Sequence, residues 1–179
     1  MQGKLLVAHP LLNDSFFNRS VIYLTDYSKD GAIGFTLNFK TEFILSDVKS
    51  NIKNGHFPIY EGGPVAKNEL FFLHTLGSQI SNASKINNYF FIGGDFNELT
   101  FLIEKGKVQQ NQIRFFAGYS GWDENQLDQE IKNNHWLLNA PSNAAFFGNA
   151  TEDLWKLQLT EIKKTYGIFG EFGFDPYMN

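Results

Sequence analysis

The sequence predicts an α+β fold in one domain over residues 1–179. Three observations carry that reading. Short apolar runs of strand type crowd the chain, and the early ones are joined by connections short enough to force antiparallel pairing. Further on, strands alternate irregularly with amphipathic helical segments, which is not a βαβ repeat. Phenylalanine, 19 residues of 179, often comes in doublets, such as Phe71-Phe72, Phe90-Phe91 and Phe115-Phe116. The two members of a doublet in a strand point to opposite faces, so several strands are expected to be covered on both sides.

Each element has its own local reason. Residues 4–9 read as a strand that Pro10 ends, since proline lacks the ladder donor. Asn13, Asp14, Ser15 and Asn18 then favour a loop or one helical turn. Residues 21–25 and 32–38 form a hairpin across the polar stretch 26–30. Residues 42–52 are ambiguous, with Ser46-Asp47-Val48 able to start a short helix. Ile59-Tyr60 leads into the turn Gly62-Gly63-Pro64, and residues 69–75 are a strong strand. A polar loop over 77–88 precedes a short strand that Gly93-Gly94 stops. Asp95 with Glu98 fits a capping box for a helix reaching Lys105 and ended by Gly106. Residues 113–117 are a strand followed by a Gly-rich bend, Gly118-Tyr119-Ser120-Gly121-Trp122. Asp123 with Gln126 fits a second box, with Trp122 and Leu127 as its hydrophobic staple. After that helix come a short strand at 136–138, a turn at Pro141-Ser142, another strand at 144–147, and a helix over 152–164 capped by Asn149 or Thr151.

The bulk composition excludes several chemistries. The chain has no cysteine, so disulfides, thiolate catalysis and zinc-thiolate sites are ruled out. A net charge of -4 with only Arg19 and Arg114 as arginines weighs against nucleic-acid binding. No apolar run approaches the roughly 20 residues that a membrane-spanning helix needs, and the residues after Met1 do not read as a secretory leader. The cytoplasm is the expected location. Phe on both strand faces makes self-association or a protein partner the expected mode of interaction, and no cofactor is expected.

The candidate residues are few. Gly118 to Trp122 could hold an anion at a helix start, but Asp123 would already occupy that cap, so a structural junction is preferred. Gly62-Gly63-Pro64 could let a ligand or another chain segment approach the backbone, although a tight turn or bulge is the simpler reading. His9 and His74 both stand at strand ends. If the two strands were neighbours, these imidazoles could meet Asp14 or Glu61 in an acid–base or metal site. A satisfied structural histidine is preferred for each. Arg19 is expected to pair with Asp14 or Asp26, and no serine sits in a nucleophile elbow.

Four stretches together resemble the AlgH/YqgE family of bacterial proteins, the UPF0301 proteins. They are Gly3 through Pro10, Gly31-Ala32-Ile33-Gly34 with Asn38, Gly62-Gly63-Pro64-Val65 with Leu73-His74, and Gly118-Tyr119-Ser120-Gly121-Trp122 with Gln126, Leu127 and Glu130. Asn134 and Trp136 follow at the family spacing. Glu61 and the Phe-rich tail depart from the family pattern. The resemblance implies a mostly antiparallel, barrel-like mixed sheet with helices packed outside. It also brings the family's description as transcriptional regulators, but no catalytic or cofactor residues.

The readings rank as follows. First is a cytosolic binding or regulatory protein without an evident catalytic site, whose ligand or partner surface draws on Gly62, Gly63, Pro64, His9, His74, Tyr119, Gly121 and Trp122. Second is a small-molecule or metal-dependent enzyme using His9, His74 and nearby carboxylates. Third is a transcriptional regulator.

Overall fold

The computed structural model describes residues 1–141 and 154–166. Its strands are β1 (Leu5–Ala8), β2 (Val21–Ser28), β3 (Gly31–Thr36), β4 (Lys40–Ile44), β5 (Pro58–Glu61), β6 (Val65–His74), β7 (Ser84–Lys85), β8 (Phe91–Ile92), β9 (Ile113–Trp122) and β10 (Trp136–Asn139). Its helices are α1 (Leu45–Val48), α2 (Phe96–Glu104), α3 (Gln126–Lys132) and α4 (Leu154–Tyr166). The strand expected at 144–147, the caps Asn149 and Thr151, Ser142 and the tail from 167 lie outside the described residues.

The strands form one ten-stranded sheet in the order β10-β1-β2-β3-β9-β6-β8-β7, with β5 beside β9 and β4 beside β5. All pairings are antiparallel except β5 with β9. The α+β class stands, but the barrel does not form: β10 and β7 end the order and do not pair with each other. One reason is that the sheet branches at β9. The first half of this strand pairs with β5 (Phe115 opposite Ile59) and the second half with β3 (Ser120 opposite Gly34). Another is that β7 and β8 have only two residues each, too few to carry a closing seam.

The Phe doublets divide as the strand period requires. Phe116 and Phe71 join a cluster that holds β1, β2 and α4, whereas Phe115 and Phe72 join a cluster with α2. Within α4, Leu154, Trp155, Leu159 and Ile162 are buried and Leu157 faces outward. The indole of Trp155 donates to the Ala8 carbonyl at 2.7 Å, which fastens this helix to β1.

The two capping boxes form only in part. Asp95 accepts from the amides of Asn97 and Glu98 at the start of α2. Glu98 does not return the bond; it accepts from Ser81 N and Oγ instead, tying the 77–88 loop down. Helix α3 starts two residues later than expected, with Asn125 at its N-cap in a left-handed conformation. Here only the return half of the box exists, from Asp123 N to Gln126 Oε1.

Strand β9 runs straight through the stretch expected to bend. Gly118 sits at φ +71, and residues 66–69 of β6 bulge out opposite it, between the pairs Val65–Tyr119 and Leu70–Ala117. On the other flank, Gly62 and Gly63 cross β9 so closely that a Cβ on either would overlap the backbone of Gly118, Tyr119 or Ser120. The close approach weighed for this glycine pair is therefore made by a segment of the same chain. Gly62 N donates to Ala117 O, and Gly62 O accepts from both Thr36 N and Ser120 Oγ.

Gly63→Ala should lower the unfolding free energy by about 3 kcal/mol, since the backbone it would meet cannot rotate away. Gly106, at φ +66 with nothing near its added Cβ, should lose only about 1 kcal/mol on the same change. Urea denaturation of the two variants checks this, and equal losses would refute the crossing as a steric constraint.

Candidate functional site

A cleft of about 680 Å³ opens where β1, β9 and β10 meet α3 and the connection after β1. Its floor is assembled around one carboxylate. Glu130, on α3, accepts the indole N–H of Trp122 at 2.8 Å and that of Trp136 at 2.7 Å, both on Oε2. Gln126, one helical turn earlier, donates from Nε2 to Oε1 at 2.9 Å. Both indoles are nearly buried, and an indole N–H can only donate. A carboxylate shared between them satisfies both with charge-assisted bonds. Phe17 completes the aromatic group, edge-on to Trp136 at 5.6 Å and parallel to Trp122 at 6.4 Å.

The rim is polar. His9 directly follows β1; its amide donates to His135 O, and its Nδ1 accepts from Leu11 N at 3.2 Å. Burial, and then the charge of His135, push the His9 imidazole below its ordinary value. Asp14 Oδ1 accepts the amides of Phe16 and Phe17 at 2.8 and 2.7 Å, which shapes the connection after β1.

The structure thus brings His9, Gly121 and Trp122 into one cleft. It does not bring His74 there. His74 is fully buried on β6, four strand intervals from β1. Its Nε2 bonds the Gly93 carbonyl at 2.9 Å, and its Nδ1 accepts from Leu76 N. Its ring stacks between Phe72 and Phe91. Burial lowers its pKa, partly offset by the bond to Gly93.

Gly62 and Gly63 lie in the β9 crossing, and Pro64 is exposed beside it. Tyr119 faces a separate depression with Phe71 and Phe35. Glu61, the other carboxylate considered with the histidines, pairs with Lys67 at 2.7 Å. Arg19 pairs with neither aspartate expected of it; its guanidinium lies over the Trp155 ring. The hydroxyl of Ser120 is buried and donates to Gly62 O. Among the described residues, no group of three or more His, Cys, Asp or Glu is arranged to hold a metal. No described helix is long and apolar enough to cross a membrane.

Sequence reasoning did not place Glu130, Trp136 or Phe17 in a site, and it weighed Asp14 only as a partner of His9 and His74. A signal was present for two of them. Glu130 and Trp136 belong to the block of motif residues that includes Trp122 and Gln126, and positions 126 and 130 share one helix face.

An open, branched α+β sheet, with a carboxylate clamped by two indoles beneath a surface cleft, defines the structural class. The chain belongs to the AlgH-like family, whose model matches residues 5–167. It is 39% identical to a UPF0301 protein of Parabacteroides distasonis, over all of this chain and 91% of that one. It is 36% identical to one of Bacteroides thetaiotaomicron, over 99% of this chain and 91% of that one. The fold is similar to that of the AlgH protein of Pseudomonas aeruginosa, with a TM-score of 0.74 at 23% identity, covering 98% of this chain and 95% of that one. A protein of Corynebacterium diphtheriae is similar at a TM-score of 0.73 and 23% identity, over 89% and 85%.

Two outcomes follow from this geometry. Glu130→Ala leaves two nearly buried indole donors without an acceptor, so stability should fall by about 3 kcal/mol. The fluorescence of Trp122 and Trp136 should change with it; an unchanged melting temperature and spectrum would refute the clamp.

The histidines set a pH dependence. The unfolded chain takes up protons near pH 6.5, whereas folded His74 and His9 resist them. The unfolded state therefore binds more protons as pH falls, and stability must drop below about pH 6.5. The urea midpoint should fall between about pH 7 and about pH 5, and His74→Gln should shrink that fall. An equal fall in the variant would remove His74 as a cause.

Proposed function

We propose that this chain is a binding or regulatory protein and that the cleft over Glu130 is its ligand or partner surface. The arrangement of the floor carries this reading. Glu130 is committed to two indoles and an amide, and His9 Nδ1 and Asp14 Oδ1 to backbone amides. Groups held in this way fix the shape of a recognition surface. General acid–base work needs a group poised to exchange a proton with substrate. A rigid aromatic floor under a polar rim is a common form of binding site. The neighbouring rim residue Leu11 is 73% exposed, and an apolar side chain in that position suits contact with an occupant.

The enzyme reading needs His9 and His74 in one pocket, and their separate settings give it no support. The regulator reading, if it implies direct DNA contact, is opposed by the net charge of -4 and by the carboxylates at the cleft. Regulation through a protein partner or self-association remains within the proposal, as does a cytoplasmic location.

The test is native mass spectrometry of the protein isolated at its natural level, beside a Leu11→Arg variant that alters only the exposed rim. Wild type should carry an added mass at near one-to-one, and the variant should lose most of it. A bare wild-type chain that also yields no crosslink from a photoreactive residue at position 11 in cells would overturn the proposal. So would an added mass held equally by both proteins.

A further inference from the structure

The charge lining of the cleft is one-sided. Asp14 stands on the connection after β1 and Glu130 on α3, and no lysine or arginine lines the cleft among the described residues. Asp14 uses Oδ1 for the amides of Phe16 and Phe17, and Oδ2 takes no donor among the described residues. The segment leading into and along α3 adds Asp123, Glu124 and Asp128 against a single basic residue, Lys132. His9 is held below its ordinary pKa, so it does not offset these charges near neutral pH. The same cleft is lined by the apolar side chains of Leu11, Leu12 and Phe17 and by Trp122 and Trp136, beside the polar Asn13, Gln126, Asn133, Asn134 and His135.

We infer that the cleft recognises an organic cation, an ammonium or guanidinium group on a short apolar stem, with the charge set between Asp14 and Glu130 and the stem on Leu11, Leu12 and Phe17. The inference rests on the binding role proposed above and names the chemistry of what is bound. Such a ligand matches both surfaces at once. Its stem covers apolar area that water wets poorly. Its charged end meets a carboxylate oxygen still open to a donor, and a guanidinium can reach two acceptors with its fixed fork of N–H groups. A carboxylate or phosphate ligand would meet two carboxylates and no lysine or arginine, which disfavours it. The same chemistry occurs in free polyamines and in lysine or arginine side chains of a polypeptide.

The experiment uses the indole N–H resonances of the full chain. Trp122 and Trp136 lie in the cleft, and Trp155 packs against β1 as an internal control. Butylguanidinium, butanol and butyrate are titrated in turn. Butylguanidinium should shift the Trp122 and Trp136 signals while leaving that of Trp155 in place, with an affinity at least about tenfold above the other two. Asp14→Asn retains the Oδ1 acceptor for the two loop amides, so it keeps the loop, and it should weaken the cation by about fivefold.

A short peptide carrying one arginine between apolar residues separates the sources. Tighter binding than butylguanidinium points to a polypeptide partner, and no gain points to a free amine; both outcomes support the inference. Equal shifts from butyrate or butanol, no shift from butylguanidinium, or unchanged affinity in Asp14→Asn would overturn it. A neutral or anionic compound that does bind there would leave the binding role standing, whereas failure of the mass-spectrometric test with Leu11→Arg would remove that role as well.

Discussion

The arrangement depends on one close approach, that of Gly62 and Gly63 to the backbone of residues 118–120. At this point the end of β5, the end of β3 and the middle of β9 meet, and Gly62 O accepts from both Thr36 N and Ser120 Oγ. No side chain fits between the backbones there. The contact lets β9 exchange one neighbour for another while it continues as a single strand. Below the crossing it belongs with β5, and above it with β3. Because one strand serves both pairings, the sheet branches. Because β9 continues past the crossing, Trp122 arrives directly above α3, where Glu130 receives it.

Charge inside the molecule is handled by aromatic rings more than by opposite charge. Arg114 is 5% exposed, with its guanidinium 4.3 Å from the centre of the Tyr60 ring and one N–H bonded to Leu37 O. Among the described residues, the ion pair is that of Lys67 with Glu61, on the surface. Lys67 also lies over Phe16, as Arg19 lies over Trp155. A desolvated cation on a ring face gains about 2 kcal/mol or more, which offsets part of the cost of burial without bringing in a second charge. Glu130 shows the converse: the ring edge, through its N–H, serves the anion. Both solutions draw on the aromatic content of the chain and not on its modest supply of charged residues.

The two Phe doublets Phe71-Phe72 and Phe115-Phe116 were legible because a strand has a fixed period of two, so adjacent apolar residues require two covered faces. The hairpin of β2 and β3 and the extent of α2 were legible for the same kind of local reason. The path of β9 was not. Gly118 to Trp122 has the composition of a turn, and only the opposing bulge of residues 66–69 and the crossing at Gly62 make a strand of it. Neither is visible from within positions 113–122. The barrel expected from the family resemblance failed for a related reason: strand pairing across long separations decides closure, and local pattern does not carry it. His9, Gly121 and Trp122, singled out from the sequence, line one cleft, but Glu130, Trp136 and Phe17 beside them were not singled out. Nothing within α3 marks Glu130, because its two indole donors come from different strands, six residues after it and eight before it.

The clamp also divides the labour between floor and rim. The floor is held by bonds among Trp122, Trp136, Gln126 and Glu130, which couple β9, α3 and β10 to one another. Altering Glu130 leaves two nearly buried indole donors unpaired, so the floor resists change. The rim is held differently. Between His9 and Phe17, the chain is shaped by its own backbone bonds and by Asp14 Oδ1, so exposed side chains such as Leu11 carry little of the fold. Substitutions there can redirect what the cleft accepts without disturbing the indoles beneath. On the binding role proposed for the cleft, a fold organised in this way keeps one cleft geometry while its occupant varies, and the selectivity of a given chain should then be read from the rim, where the structure leaves the sequence free to change.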